Sequence, residues 1–302
     1  MSVDLELAAS FMAGHARLLD RRRFELLVGR GSAEAVLAAL EAYRNPDGGY
    51  GRGLEPDLRA AESQPGGALH AFEVFEDIAP HTSPRVVELC DWLESVTLPD
   101  GGLPFALPVQ DAAATAPFWA NADPTKSALQ STAFAAGAAL RVAAHDPAVA
   151  RHPWLRRACE YCFAAVEALD EQPHAIALSF TVRFLDAAVP QYPQAEELLD
   201  RLARFVPRDG RVPVAGGSEG ETMRALDFAP VPGSPASRLL DEGVIEAELD
   251  ELAEQQHSDG GWSVDFASFS PIAALEWRGY ATVDALLKLH RAGRLELALA
   301  GR

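Results

Sequence analysis

Apolar residues recur at steps of three and four in four stretches of the chain. They are Val36, Leu37, Leu40 and Tyr43; Val86, Leu89, Cys90, Leu93 and Val96; Leu198, Leu199, Leu202 and Phe205; and Ile245, Leu249, Leu252 and Ala253. That spacing puts each set on one face of an α-helix and leaves the other face polar. A second class of stretch is different. Residues 126–144, with Leu129, Phe134, Ala136 and Leu140, are small and apolar nearly all round, and residues 64–78, 174–189 and 272–290 follow the same trend. A helix that is apolar on every side is normally buried on every side. Helix-start signals agree with both classes: Ser83 precedes Pro84, Ser32 precedes Ala33 and Glu34, and Ser63 opens the third helix. No stretch alternates with period two, so the pattern predicts an all-α fold.

The two classes alternate around a recurring turn. Asp47-Gly48-Gly49, Asp100-Gly101-Gly102 and Asp259-Gly260-Gly261 each follow an amphipathic stretch, and Asp209-Gly210 is a weaker copy. The gaps are 53, 109 and 50 residues, as if one copy near residues 155–170 had lost its signature. Aspartate and glycine here read as turn chemistry, with the carboxylate accepting from backbone two residues on. Amphipathic helices on the outside and apolar helices on the inside, repeated five or six times, make a closed α/α toroid. An open solenoid is the alternative, but it would leave the far side of the apolar helices wet. Residues 208–237, rich in Gly and Pro, are expected to hold a short or irregular pair, within one domain covering residues 1–302.

Composition narrows the function classes. The chain has 302 residues, 48% of them hydrophobic, enough for a sizeable core. Its net charge of −18 disfavours nonspecific binding to nucleic acid or anionic membranes, which requires clustered Lys and Arg. Three cysteines, Cys90, Cys159 and Cys162, suit a reducing compartment. The start of the chain lacks the features of a signal peptide, and the most apolar stretch, residues 133–144, is interrupted by Arg141 and too short to span a bilayer. A cytoplasmic protein is expected.

The last repeat contains Gln256, Gly260 and Trp262 in a Q-x-x-x-G-x-W pattern. It resembles the QW repeat of squalene-hopene cyclases and related terpenoid cyclases, which occurs in looser form in protein prenyltransferase β-subunits. Arg44, Gly48 and Tyr50 hold the equivalent places in the first copy, and Thr97, Gly101 and Leu103 in the second. The resemblance implies an α/α barrel of about six helix pairs with a central apolar cavity, and an enzyme acting on a hydrophobic isoprenoid-type substrate. The family's known active-site motifs are missing: there is no Asp-x-Asp-Asp, no Asp-Asp-x-x-Asp and no prenyltransferase zinc set. Cys90 beside Asp91 has the wrong spacing for that set, and Cys159-Glu-Tyr-Cys162 is a lone C-x-x-C.

Candidate chemistry therefore rests on acids where loops enter the inner helices. Glu55 and Asp57 flank Pro56 directly after the first turn; Asp123 follows Phe118 and Trp119; Asp265 precedes Phe266 and follows Trp262. Paired carboxylates can act as general acid and base, and aromatic rings can stabilise a cation. These four acids are the catalytic candidates. Phe118, Trp119, Trp262, Phe266, Trp277 and His70 are the candidates for substrate contact, in a central pocket lined by aromatics. The competing readings are helix capping for Asp123 and Glu55, an Asp57–Arg59 pair, and core packing for the aromatics. No metal-ligand spacing, cofactor motif or phosphate cradle is present, Gly216–Gly220 lacking a Lys and carrying acids. A small hydrophobic molecule is the expected partner. A carbohydrate-active hydrolase or lyase using paired carboxylates is the alternative enzyme, and a noncatalytic toroid binding lipid or protein is the third reading. Cavity polarity separates the first two. The oligomeric state has no signal.

Overall fold

The computed structural model describes residues 3–297, so both ends of the expected 1–302 domain lie outside it. Outer and inner helices alternate in six pairs. The first pair is α1 (Leu5–His15) and α2 (Leu18–Leu27), and the second is α3 (Ala33–Leu40) and α4 (Pro65–Asp77). The third, α5 (Pro84–Val96) and α7 (Leu129–Ala143), is separated by the single turn α6 (Pro117–Ala120). After the short α8 (Pro147–Ala150) come α9 (Pro153–Glu167) and α10 (Ala175–Ala188). The fifth pair is α11 (Gln194–Leu202) and α12 (Ala225–Phe228), and the sixth is α13 (Val244–Glu254) and α14 (Pro271–Arg291). The inner helices α4, α7 and α10 pack in sequence, and α14 packs on both α1 and α2. The ring is therefore closed, an α/α toroid and not an open solenoid.

Closure explains the QW pattern. The Gln256 side chain donates to Gly260 O (3.0 Å) and to Asp4 O (2.8 Å), and its Oε1 accepts from Asp4 N at 2.8 Å. Trp262 Nε1 donates to Leu252 O at 2.8 Å, a carbonyl in the last turn of α13 that otherwise accepts only from Gln255 N at 3.3 Å. Gly260 has φ +96°, and a Cβ there would overlap the Leu7 carbonyl of α1. The earlier copies meet the next outer helix in the same way. Gly48 would bring a Cβ to 2.8 Å from Glu88 O on α5, and Gly101 to 3.1 Å from Arg157 O on α9. Arg44, in the place of Gln256, pairs with Glu88.

The aspartates of these turns are structural, as their spacing suggests. Asp47, Asp100 and Asp259 each accept from the backbone N two residues on, at 3.0–3.1 Å. Asp47 and Asp100 also accept from Ser63 Oγ (2.8 Å) and Ser127 Oγ (2.6 Å), which tie the turn to the entry of the next inner helix. Ser63 is thus engaged by the turn, and α4 begins at Pro65 behind Gln64. Similarly α7 begins at Leu129 and not near Lys126, because residues 123–128 form a turn and an isolated bridge, Pro104 to Ser127. The lost copy is real: α9 runs into α10 without an Asp-Gly-Gly turn.

The irregular connection also matches its composition. It holds a two-residue antiparallel pair, β1 (Val212–Pro213) with β2 (Thr222–Met223), too short to leave a period in the sequence. The fifth inner helix, α12, is reduced to four residues. At 1.5 Å per residue that is about 6 Å of wall, against about 21 Å for α10. Among the described residues no helix is long and apolar enough to cross a membrane.

Candidate functional site

Every outer helix delivers the chain to its inner partner at the same end of the toroid. The N-termini of the inner helices therefore share one mouth, where partial positive charge favours carboxylates. The segment 51–63 crosses this mouth. Arg17 Nη1 donates to Gly53 O (3.2 Å) and Leu54 O (3.0 Å), and Arg59 pairs with Glu276 at 2.5 Å. Asp57 accepts from Phe269 N at 2.7 Å and from Trp277 Nε1 at 2.8 Å. The expected Asp57–Arg59 pair is thus replaced by two separate ties to the sixth pair. Burial raises the Asp57 pKa against the lowering effect of those two donors.

Below this segment lies a buried chain of hydrogen bonds. Glu55 Oε1 accepts from Asp57 N at 3.0 Å, and its Oε2 accepts from His70 Nε2 at 2.9 Å. His70 Nδ1 donates to Glu73 Oε2 at 2.8 Å, and Tyr280 OH donates to Glu73 Oε1 at 2.9 Å. Burial alone would strip the imidazolium of its proton, but the adjacent Glu73 and Glu55 carboxylates outweigh it and raise His70 to about 9. Burial would likewise raise Glu73, but His70, Arg23 and Arg183 hold it down to about 2. His70 is consequently an imidazolium with both nitrogens committed to carboxylates. Tyr280 is pushed well above its ordinary value by burial and by Glu73, and stays a donor.

Aromatic rings surround this chain. His70 meets Tyr280 and Trp277 edge-on at 5.2 and 5.8 Å between centroids, and Phe266 stands edge-on to Trp277 at 5.2 Å. Trp119 stacks on Phe105 at 4.5 Å, and its ring lies with the Glu55 stem over Gly66. The rim is apolar and wet: Phe118 is 60% exposed, Phe269 44% and Ile272 62%. A groove of about 430 Å³ runs beside it, lined by Val264, Phe266, Phe269, Pro271 and Ala274 among others.

Deeper in the ring the expected aromatic lining gives way to ions. Arg23 pairs with Asp77 at 2.7 Å, Arg141 and Arg291 both reach Glu76 at 2.8 Å, and Lys288 pairs with Asp284 at 2.8 Å. Lys288 and Asp284 keep 20% and 39% of their side chains accessible, so solvent enters this part of the interior as a recess. It adjoins the thin wall at α12, whose Asp227 is raised by burial.

The structure brings together Glu55, Asp57, His70, Trp119, Phe266 and Trp277. It separates three other candidates from them. Asp123 is exposed at the surface, accepting from Thr125 N at 3.0 Å and pairing with Lys126 at 3.4 Å, and its pKa is lowered by the Thr125 hydroxyl first. Asp265 is exposed on the side of Asp227. Trp262 is 2% exposed and belongs to the wall, where its N–H caps α13. His174 sits at the start of α10 with Nε2 bonded to Ala215 O at 2.9 Å. The three thiols are buried and raised by burial, Cys159 to about 12. Among the described residues no three His, Cys, Asp or Glu side chains form a group that could hold a metal ion. Sequence reasoning missed Glu73, Arg23 and Arg183. The signal for the first was present: His70, Glu73 and Asp77 make a polar stripe at helical spacing on α4, whose one further ionisable residue is Glu76.

No protein-family model matches the sequence, and no curated protein matches it. Solved structures do. One is a type II terpene cyclase from Scytonema, a variant in complex with merosterolic acid A as product. It is 14% identical, with a TM-score of 0.51, over 95% of this chain and 87% of that one. At this identity the likeness establishes a terpene-cyclase-like toroid as the fold.

Proposed function

We propose that the protein is an enzyme that carries out proton transfer on a hydrophobic, isoprenoid-type substrate admitted at the mouth between segment 51–63 and the start of α14. The observation that carries this reading is the Glu55–His70–Glu73–Tyr280 chain lying under aromatic rings and an exposed apolar rim. The fold shared with a terpene cyclase supports the substrate class. Glu55 is the catalytic residue: it stands nearest the mouth, its carboxylate takes the one proton that a cationic substrate loses, and His70 behind it is a positioning group that keeps its own proton while donating from Nε2 to Oε2. A proton held near 9 is too weakly acidic to add to an unactivated alkene. The chain suits instead the removal of a proton from a cationic centre beside Phe266 and Trp277. Asp57, tied to Phe269 N and Trp277 Nε1 of the sixth pair, positions the segment.

The test is turnover of a panel of linear isoprenoid alcohols, acids and diphosphates, with products read by mass spectrometry. Glu55→Gln and His70→Gln should each lower turnover by about 100-fold or more, and Tyr280→Phe less, with helical content retained. Full turnover in both Glu55→Gln and His70→Gln, or a panel that is neither turned over nor raises the melting temperature, overturns the reading.

A further inference from the structure

Among the described residues two cations of the inner helices have no ion pair: Arg21, which donates to Ala13 O, and Arg183. Arg183 projects from the middle of α10, one turn after Phe180, whose ring centroid lies 5.8 Å from its guanidinium. Arg23, Arg141, Lys288 and Arg291 each touch a carboxylate. Arg183 touches none, and among the described residues it makes no hydrogen bond. Ile176, Phe180, Arg183 and Ala187 make the one less-buried stripe of this inner helix, whose other faces are packed, so the half-buried guanidinium looks into the interior, where its charge is felt by Glu73, Asp227, Tyr280 and Lys288. Five N–H donors in a rigid fork are thus left without a protein acceptor beside an apolar floor, Phe180 with Phe134 edge-on at 5.4 Å.

A guanidinium fork matches a planar oxyanion through two parallel hydrogen bonds. The choice between carboxylate and phosphate follows from the neighbours. Glu73 and Asp227 lie within reach of its field without bonding it, and a doubly charged phosphate would be repelled there more strongly than a singly charged carboxylate. The other half of the ligand must suit Phe180, Phe134 and the aromatic mouth above. We infer that Arg183 is the anchor for the carboxylate of an amphipathic substrate, whose apolar body extends from the recess toward Trp277 and Phe266. This rests on the proposed function for the direction of entry and the isoprenoid class, but not for the anion site itself.

The test uses calorimetric titration of the wild-type protein and the Arg183→Gln and Arg183→Lys variants with farnesoic acid, farnesol, farnesyl diphosphate and decanoic acid. All three proteins should stay folded with closely similar melting temperatures, because Arg183 makes no ion pair or side-chain hydrogen bond and only a cation–π contact with Phe180. Wild type should bind farnesoic acid about tenfold or more tighter than farnesol, as expected for a charge-assisted pair. Arg183→Gln should bind the two equally, and Arg183→Lys should fall between. Arg183-dependent binding of decanoic acid without binding of farnesoic acid would support the anion site and overturn the isoprenoid reading. Equal binding of acid and alcohol by wild type, a preference that survives Arg183→Gln, tighter binding of the diphosphate than of the acid, or no binding of any probe overturns the inference.

Discussion

The turn aspartates and the mouth carboxylates are the same chemistry in similar places, Gly-rich segments between an outer and an inner helix, and they do different things. Asp47, Asp100 and Asp259 bond the backbone two residues away. Glu55 bonds a histidine 15 residues on, and Asp57 bonds groups 212 and 220 residues on. Asp259 is held at about 2, chiefly by its Arg278 partner, while burial pushes Asp57 upward. A carboxylate satisfied by its own turn is a hinge pin. A carboxylate whose partners arrive from across the ring is available to a site.

Breaking the buried chain should have the largest effect. Glu73→Gln leaves the His70 charge with one partner, and loss of a buried pair costs about 3–5 kcal/mol. It should also change the pH profile. His70 at about 9 lies above its ordinary 6.5, so its stabilisation is complete below 6.5 and is lost as pH rises through 9. Glu73 at about 2 lies below its ordinary 4.5, so its share is complete above 4.5 and is lost as pH falls through 2. Wild-type urea midpoints should therefore decline between about pH 6.5 and pH 9, and Glu73→Gln should flatten that decline. An unchanged slope would mean that the chain is not the ionic feature described.

Opening the ring should rank next. Gly260→Ala combines positive φ with overlap on Leu7, and about 3 kcal/mol or more is expected in chemical denaturation. Gly101→Ala, with its nearest backbone contact at 3.1 Å, should cost less. The reverse order would deny that the last turn closes the toroid. The smallest effects separate the two kinds of carboxylate directly. Asn keeps the acceptor that the turn needs, so Asp47→Asn should stay within about 0.5 kcal/mol of wild type. Asp57→Asn turns an amide donor toward one of two N–H groups and should cost about 1–3 kcal/mol. Equal losses in the two variants would erase the distinction between them.

How far the sequence reached depends on the range of the interaction. The outer helices, the turns and the irregular fifth pair were legible because each is written within a few residues: a 3.6-residue period, an Asp two before a Gly, a run of Gly and Pro. Glu55 and Asp57 stood out because Gly51, Gly53 and Pro56 make that segment unlike a simple turn, and the structure places both at the mouth. Asp123 and Trp262 looked equivalent to them by position, yet one faces solvent and the other caps a helix.

The sequence by itself determined an all-α alternation of wet and dry helices and the turns that join them, since periodicity and turn chemistry are local. Only the tertiary structure decided that the ring closes through Gln256 on Asp4, that the interior is ionic and not dry, and that Arg183 alone among the inner-helix cations facing that interior has no carboxylate beside it. The physical reason is that charge pairing in a buried space depends on which helices face each other across the axis. Glu73 on α4, Tyr280 on α14 and Arg183 on α10 are far apart in the chain and acquire their protonation states and their partners only when the six pairs come round to meet.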